Sequence, residues 1–140
     1  MSERVAYLLD TNVLSETRKK KPDDRVISFL NAADSSVLYL SVLSLGELRK
    51  GIEMKERSDP DSAKKLGHWV DGLEYSFAER ILGIDSATGR IWGELSAQRS
   101  RPVIDTLLAA TAIVHDLTFV TRNTGDVHDI EMRVFDPWKK

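Results

Sequence analysis

The chain has 140 residues, no cysteine, 30% charged side chains and a formal net charge of −2. That length suits one domain, residues 1–140, able to bury roughly 68–70% of the surface its unfolded chain would expose. Without cysteine there are no disulfides, thiolate metal sites or thiol nucleophiles, and a slightly acidic balance excludes a generally basic nucleic-acid coat, leaving local basic patches or metal ions as the means of meeting nucleic acid.

Taken in order, Val5 to Leu9 is a continuous apolar run ending at Asp10, the pattern of a strand buried on both faces. Val26, Ile27, Phe29, Leu30 and Ala33 follow at helical spacing, and Val37 to Leu40 reads as a second strand. Leu45, Leu48 and Ile52 make one face of the next helix; Asp59-Pro60-Asp61 then punctuates the chain. Leu66, Trp69, Val70, Leu73 and Phe77 form an apolar helical stripe, so the segment from Ile52 through Phe77 reads as a helical pair. Ile81 to Ile84 is a short apolar run before Asp85-Ser86, a helix start, and Ile91, Trp92 and Leu95 mark that helix. Pro102 suits the first turn of a helix that is apolar almost all round, from Leu107 to Val114. Leu117 to Thr121 and Arg133 to Phe135 supply a fourth and a weaker fifth strand. Strands alternating with helices predict an α/β fold, a parallel sheet covered on both faces. His68, His115 and His128 are scattered without zinc spacing. No signal peptide and no run near the roughly 20 apolar residues of a membrane span are present, which predicts a cytoplasmic protein without a membrane segment.

Four acids fall at or near the ends of apolar segments or the starts of helices: Asp10, Glu47, Asp105 and Asp126. Each has a structural explanation of its own. Asp10 can cap a helix starting near Asn12. Ser44 and Glu47 match a capping box. Asp105 in a first turn suits the helix dipole. Asp126 after Thr124-Gly125 can shape a turn. Together they are harder to explain this way, because an α/β sheet gathers the carboxyl ends of its strands along one edge. Asp105 shares its helix face with Leu108, Ala109 and Ala112, so it is expected to be partly buried. Two carboxylates about 5 Å apart repel by about 3 kcal/mol at an effective dielectric near 20, whereas a helix dipole returns about 0.3–1 kcal/mol. A hard divalent cation with oxygen ligands would hold such a set. It would also align water for attack on a phosphate, so the pattern points to metal-assisted phosphate chemistry with no chosen substrate.

Four blocks carry a resemblance: Leu8-Leu9-Asp10-Thr11-Asn12-Val13-Leu14-Ser15-Glu16, Leu43-Ser44-Leu45-Gly46-Glu47-Leu48-Arg49-Lys50-Gly51, Asp105-Thr106-Leu107-Leu108-Ala109-Ala110-Thr111-Ala112 and Phe119-Val120-Thr121-Arg122-Asn123-Thr124-Gly125-Asp126. In this order, with Phe135-Asp136-Pro137-Trp138 at the close, they resemble the PIN-domain nucleases, specifically VapC-type and FitB-like toxins of prokaryotic toxin–antitoxin systems. The resemblance implies a three-layer α/β/α PIN-like domain with a five-stranded parallel sheet. It implies a Mg2+- or Mn2+-dependent endoribonuclease leaving a 5′-phosphate and a 3′-hydroxyl. Asp10 and Asp105 would be the principal metal ligands, Glu47 would complete the cluster and Asp126 would be the fourth acid, with Asn12, Thr121 and Asn123 in support. It further implies a homodimer or a toxin–antitoxin hetero-oligomer with a cognate VapB-like antitoxin. That partner would supply a basic side chain to the pocket and bring the DNA-binding part, so that DNA is met only through the antitoxin.

Arg18, which opens the run Arg18-Lys19-Lys20-Lys21, is read as either a solvated helix end or a phosphate contact. Arg99, Arg101 and Arg122 lie near the later acid blocks and could hold RNA phosphates or balance carboxylates. Trp69 and Trp92 fit core or subunit packing, with base stacking as the rival. Two rival functions remain at this point. One is a phosphotransferase with Asp10 as covalent nucleophile, against which Asn12 stands where haloacid-dehalogenase-like enzymes carry a second acid. The other is a largely non-catalytic, dimeric toxin-like module acting with its antitoxin in DNA-binding autoregulation.

Overall fold

The computed structural model describes residues 5–139. Its elements are β1 (Tyr7–Leu9), α1 (Thr11–Glu16), α2 (Asp24–Ala32), β2 (Leu38–Ser41), α3 (Val42–Glu56), α4 (Pro60–Ser76), β3 (Ile81–Leu82), α5 (Ser86–Gln98), α6 (Val103–Val114), β4 (Thr118–Val120) and β5 (Val134–Phe135). Short 3-10 turns occupy Ser35–Val37, Ala78–Arg80 and Thr124–Asp126.

The five apolar runs become one parallel sheet in the order β3-β2-β1-β4-β5. Successive side chains on a strand point to opposite faces, and the core divides accordingly. Leu9, Leu38, Leu40 and Val120 pack with Val13, Leu14, Val26, Leu45, Leu48 and Val70. Leu8 and Phe119 pack on the other side with Leu95, Leu108, Ala109 and Ala112. Helices α1 to α4 therefore cover one face and α5 with α6 the other, which gives the expected three-layer α/β/α architecture. The fully buried Ala109 and Ala112 let α6 lie close to the sheet. No helix among the described residues is long and apolar enough to cross a membrane.

Four of the five strands are shorter than the segments that announce them, and β2 is shifted by one residue to Leu38–Ser41. Val5 and Ile84 lie outside β1 and β3 and are exposed; after β3 the chain reaches the Asp85 cap of α5 within three residues. Asp59 and Asp85 cap α4 and α5 through Ser62 and Thr88 N–H groups, as the punctuation predicts. Pro102 stands one place outside α6 as its N-cap residue. The expected helical pair is α3 and α4, bridged by Arg49 to Asp71 (2.7 Å) and Glu74 (2.8 Å).

The capping-box expectation for Ser44 and Glu47 is overturned. Ser41, the last residue of β2, is the N-cap, its hydroxyl accepting from Leu43 N–H at 3.0 Å. The helix therefore starts one residue after the strand. Ser44 falls inside the helix, fully buried with its Oγ unpartnered, and Glu47 is released to face another element. Ser41→Ala is expected to destabilise the protein by about 1 kcal/mol, measured by urea unfolding.

Candidate metal centre

Strand order reverses at β1. The chain runs outward through β2 and β3, then returns to lay β4 on the other side of β1. Ligand sites of open α/β sheets form in the crevice beyond the carboxyl ends of strands at such a switch point. Here Asp10 N–H donates to the Val120 carbonyl at 2.9 Å, so the segments leaving β1 and β4 begin side by side. They open a cleft of about 390 Å³ lined by Asp10, Asn12, Glu47, Asp105, Arg122 and Asn123, together with Thr11, Ser15, Glu16, Lys19 and Trp138.

Asp10 is 5% exposed and its carboxylate is held from three directions. Oδ1 accepts from Thr11 N–H at 2.7 Å; Oδ2 accepts from the Thr121 hydroxyl at 2.7 Å and from Asn12 Nδ2 at 3.3 Å. Asp10 thus both caps α1 and faces the cleft. Thr121 accepts in turn from Asn123 N–H at 3.0 Å. The three supporting residues read from the sequence surround Asp10, Asn123 acting through its main chain. Glu47 reaches across from α3 to accept from the Thr11 hydroxyl at 2.6 Å. Asp105, half-buried in the first turn of α6, also lines the cleft. Asp126 is exposed and lies off the lining, but its carboxyl is near enough to Asp105 to push that group's pKa up.

The electrostatics are those of crowded anions. Burial pushes the Asp10 carboxyl up to about 6 against the pull of its Thr121 and Thr11 hydrogen bonds, and the charges of Asp105 and Glu47 add to the rise. Asp105 is raised by burial first, then by Asp126 and Glu47. Among the described residues, none of the four acids forms a salt bridge. Lys19, the lysine lining the cleft, pairs with Glu16 at 2.9 Å. Among the described residues no three His, Asp or Glu side chains already form a metal cage. The four acids are therefore neighbours, three in one cleft and the fourth against one of them, without being a preformed coordination shell. Their chemistry fits a hard divalent ion, since the cleft offers carboxylate oxygens in excess of cations, no thiol and no histidine. The Asn12 Oδ1, buried without a partner, is one more oxygen beside them.

The basic residues sort differently from the sequence reading. Arg122 does line the cleft, its guanidinium 5.1 Å over the Trp138 ring. Arg18 instead stands 5.3 Å over Trp69 on α4, and the cleft takes Lys19 from the same run. Arg101 is not available to a phosphate: its side chain is 2% exposed and its guanidinium is engaged with Asp129. Trp69 packs half-buried against the core, and His68, His115 and His128 are exposed away from the cleft. Glu16 is the site residue that sequence reasoning passed over. It is 4% exposed, accepts from Asp23 N–H at 2.8 Å, and is held below the usual carboxylate range by Lys19 first and by that N–H second. The signal was present, since Asn12 and Glu16 are four apart on α1, and residues so spaced share a helix face.

The family model described as PIN domain matches residues 7–130. Toxin FitB of Neisseria gonorrhoeae (strain ATCC 700825 / FA 1090) is 34% identical over 140 residues, covering 94% of this chain and 97% of that protein. VapC ribonuclease Y4jK of Sinorhizobium fredii (strain NBRC 101917 / NGR234) is 32% identical over 141 residues, covering 94% and 97%. Among solved structures, FitAcB from Neisseria gonorrhoeae superposes with a TM-score of 0.87 and 31% identity, over 96% of this chain and 99% of that one.

Proposed function

The chain belongs to the PIN-domain family, and from that membership we propose that it is a single-domain toxin of a type II toxin–antitoxin pair, an endoribonuclease dependent on Mg2+ or Mn2+. The observation that carries this reading is the cleft at the β1–β4 switch point, where Asp10, Glu47 and Asp105 meet without a cationic partner and Asp126 stands against Asp105. A relative similar over nearly its whole length is named a ribonuclease, and another a toxin, which supports the same reading.

Asp10, Asp105, Glu47 and Asp126 are the residues proposed to hold the ion. When bound, the ion supplies positive charge that orients water and neutralises the phosphate under attack. The chain's own parts do the rest. Thr121 and Thr11 fix the Asp10 carboxylate in one orientation. Thr11 also donates to Glu47, linking the acid that caps α1 to the acid on α3. Arg122 and Lys19 on the rim offer charge to flanking RNA phosphates, by hydrogen bonds to their oxygens. Hydrolysis would leave a 5′-phosphate and a 3′-hydroxyl.

A nuclease toxic to the cell that makes it needs a partner that blocks it. The surplus negative charge of the cleft is complementary to a basic side chain from a VapB-like antitoxin, which would compete with the ion; DNA contact would come through that partner, in a homodimer or toxin–antitoxin hetero-oligomer. The test is cleavage of structured RNA by the purified protein. Activity is expected with added Mg2+ or Mn2+ and none in excess chelator. Cutting that persists in chelator, or a chain that binds no Mn2+ at millimolar concentration, removes the reading; the latter result favours the non-catalytic module.

A further inference from the structure

Behind Asp105 and Asp126, three segments meet: the end of α5, its linker to α6, and the loop that follows the turn Thr124–Asp126. Arg101 lies in the linker four residues before Asp105, and Asp129 lies in the loop three residues after Asp126. Arg101 Nη1 and Nη2 donate to Asp129 Oδ1 at 3.1 Å and Oδ2 at 3.2 Å, a parallel fork. The same guanidinium donates from Nε to the Leu95 carbonyl at 2.8 Å and from Nη2 to Gln98 Oε1 at 2.9 Å. Arg99 forks onto Asp129 as well, Nε to Oδ2 at 2.9 Å and Nη2 to Oδ1 at 3.1 Å. One carboxylate thus receives four charge-assisted hydrogen bonds from two guanidinium groups, and they hold it well below the usual carboxylate range, Arg99 first and Arg101 second.

Such a buried guanidinium is tolerated only with full pairing, and an apolar pair would close the junction between α5 and α6 as well. What the fork adds is direction, because its planar geometry fixes the angle of the loop against the linker. Val127 and Ile130, buried on either side of Asp129, anchor the loop in the core, and the fork ties that anchored loop to the linker before α6. The two segments fixed in this way carry Asp105 and Asp126, carboxylates that repel each other.

We propose that Arg101 and Asp129, joined by Arg99, form a positioning clamp that holds Asp126 against Asp105 and so sets the affinity of the acidic cleft for a divalent cation. This rests on the metal-dependent reading given above. The residues act through the two acids and touch neither ion nor RNA.

The test uses the full chain, stripped of metal and titrated with Mn2+ by calorimetry, alongside RNA cleavage measured across Mn2+ concentrations. For Asp129→Asn the Mn2+ dissociation constant is expected to rise about tenfold. The half-saturating Mn2+ for cleavage rises by a similar factor, while kcat at saturating Mn2+ stays within about threefold of the unmodified chain. A merely structural role would lower the active fraction at every Mn2+ concentration instead. Arg99→Lys keeps the charge that faces Asp126 but removes the exposed fork onto Asp129; it is expected to raise the dissociation constant about threefold, so it decides the question should Asp129→Asn fail to fold. Binding within twofold of the unmodified chain in the folded variants, or lost cleavage with unchanged binding, overturns the clamp and leaves the nuclease reading standing. An unmodified chain that binds no Mn2+ overturns both.

Discussion

Asp10→Asn is expected to abolish RNA cleavage, a loss of at least about 100-fold, and at the same time to make the metal-free protein more stable. The first effect follows from position. Asp10 is the most deeply buried of the four acids and the one that three hydrogen bonds orient toward the cleft. An amide retains the shape but not the charge, and about 100-fold corresponds to roughly 2.7 kcal/mol of lost transition-state stabilisation. The second effect follows from the raised carboxyl. At neutral pH the folded chain carries a buried charge that the unfolded chain would carry in water, and each pKa unit of that difference costs about 1.36 kcal/mol. Asparagine removes the charge, keeps an oxygen for Thr11 N–H and offers an N–H to Thr121. The hydroxyl of Thr121 already accepts from Asn123, however, so part of the gain is returned, and a net stabilisation of about 1–2 kcal/mol is expected by urea unfolding in chelator. Undiminished cutting, or a variant less stable than its parent, would count against the assignment.

The unmodified metal-free chain is expected to lose stability as pH rises from about 4 to 7.5. Asp10 titrates near 6 in the folded state and at the ordinary value of 3.8 when unfolded. Between those values the folded chain binds more protons, so ΔG of unfolding falls with pH in that window. The stabilisation is complete below the unfolded value and gone once pH has passed through the folded one. The drop from Asp10 alone is about 3 kcal/mol, and Asp105, raised in the same direction, adds to it. Glu16 and Asp129 are shifted oppositely, and their contribution is lost as pH falls below the normal carboxylate range. Stability should therefore peak near pH 4–5. Chemical unfolding at a series of pH values measures the curve, and the difference between parent and Asp10→Asn isolates the 3 kcal/mol component. A difference that does not change with pH would show that Asp10 is already charged at the peak.

The layered architecture was readable because parallel strands buried on both faces must be apolar throughout. Tyr7–Leu9 lies wholly in such a run, while Leu38–Ser41 and Thr118–Val120 each carry one polar residue at an end beside their apolar ones. Strand limits were not readable to the residue, since Val5 and Leu9 look alike and only the pairing with β2 and β4 separates them. In the candidate site, Asp10, Glu47 and Asp105 could be picked out because acids stand out at strand ends and helix starts. What the residues touch was hidden. Two serines at Ser41 and Ser44 could each have capped α3, and the choice depended on where β2 ended. Arg101 looked like a phosphate ligand because its carboxylate, Asp129, is 28 residues away along the chain. Pairings of that range are set by tertiary packing and leave no local pattern.

The junction of β1 with β4 also has a consequence during synthesis. Asp10 is oriented by Thr121, 111 residues later, and β1 gains its second neighbour only when β4 arrives. A nascent chain that has exposed α1 through α5 possesses Asp10 and Glu47 but neither the hydroxyl that aims one nor Asp105. Contacts so distant along the polypeptide form late, after the intervening elements have condensed. The acidic cleft is therefore complete only after Thr121 has been made and β4 has docked beside β1, and the proposed activity is expected to appear no earlier.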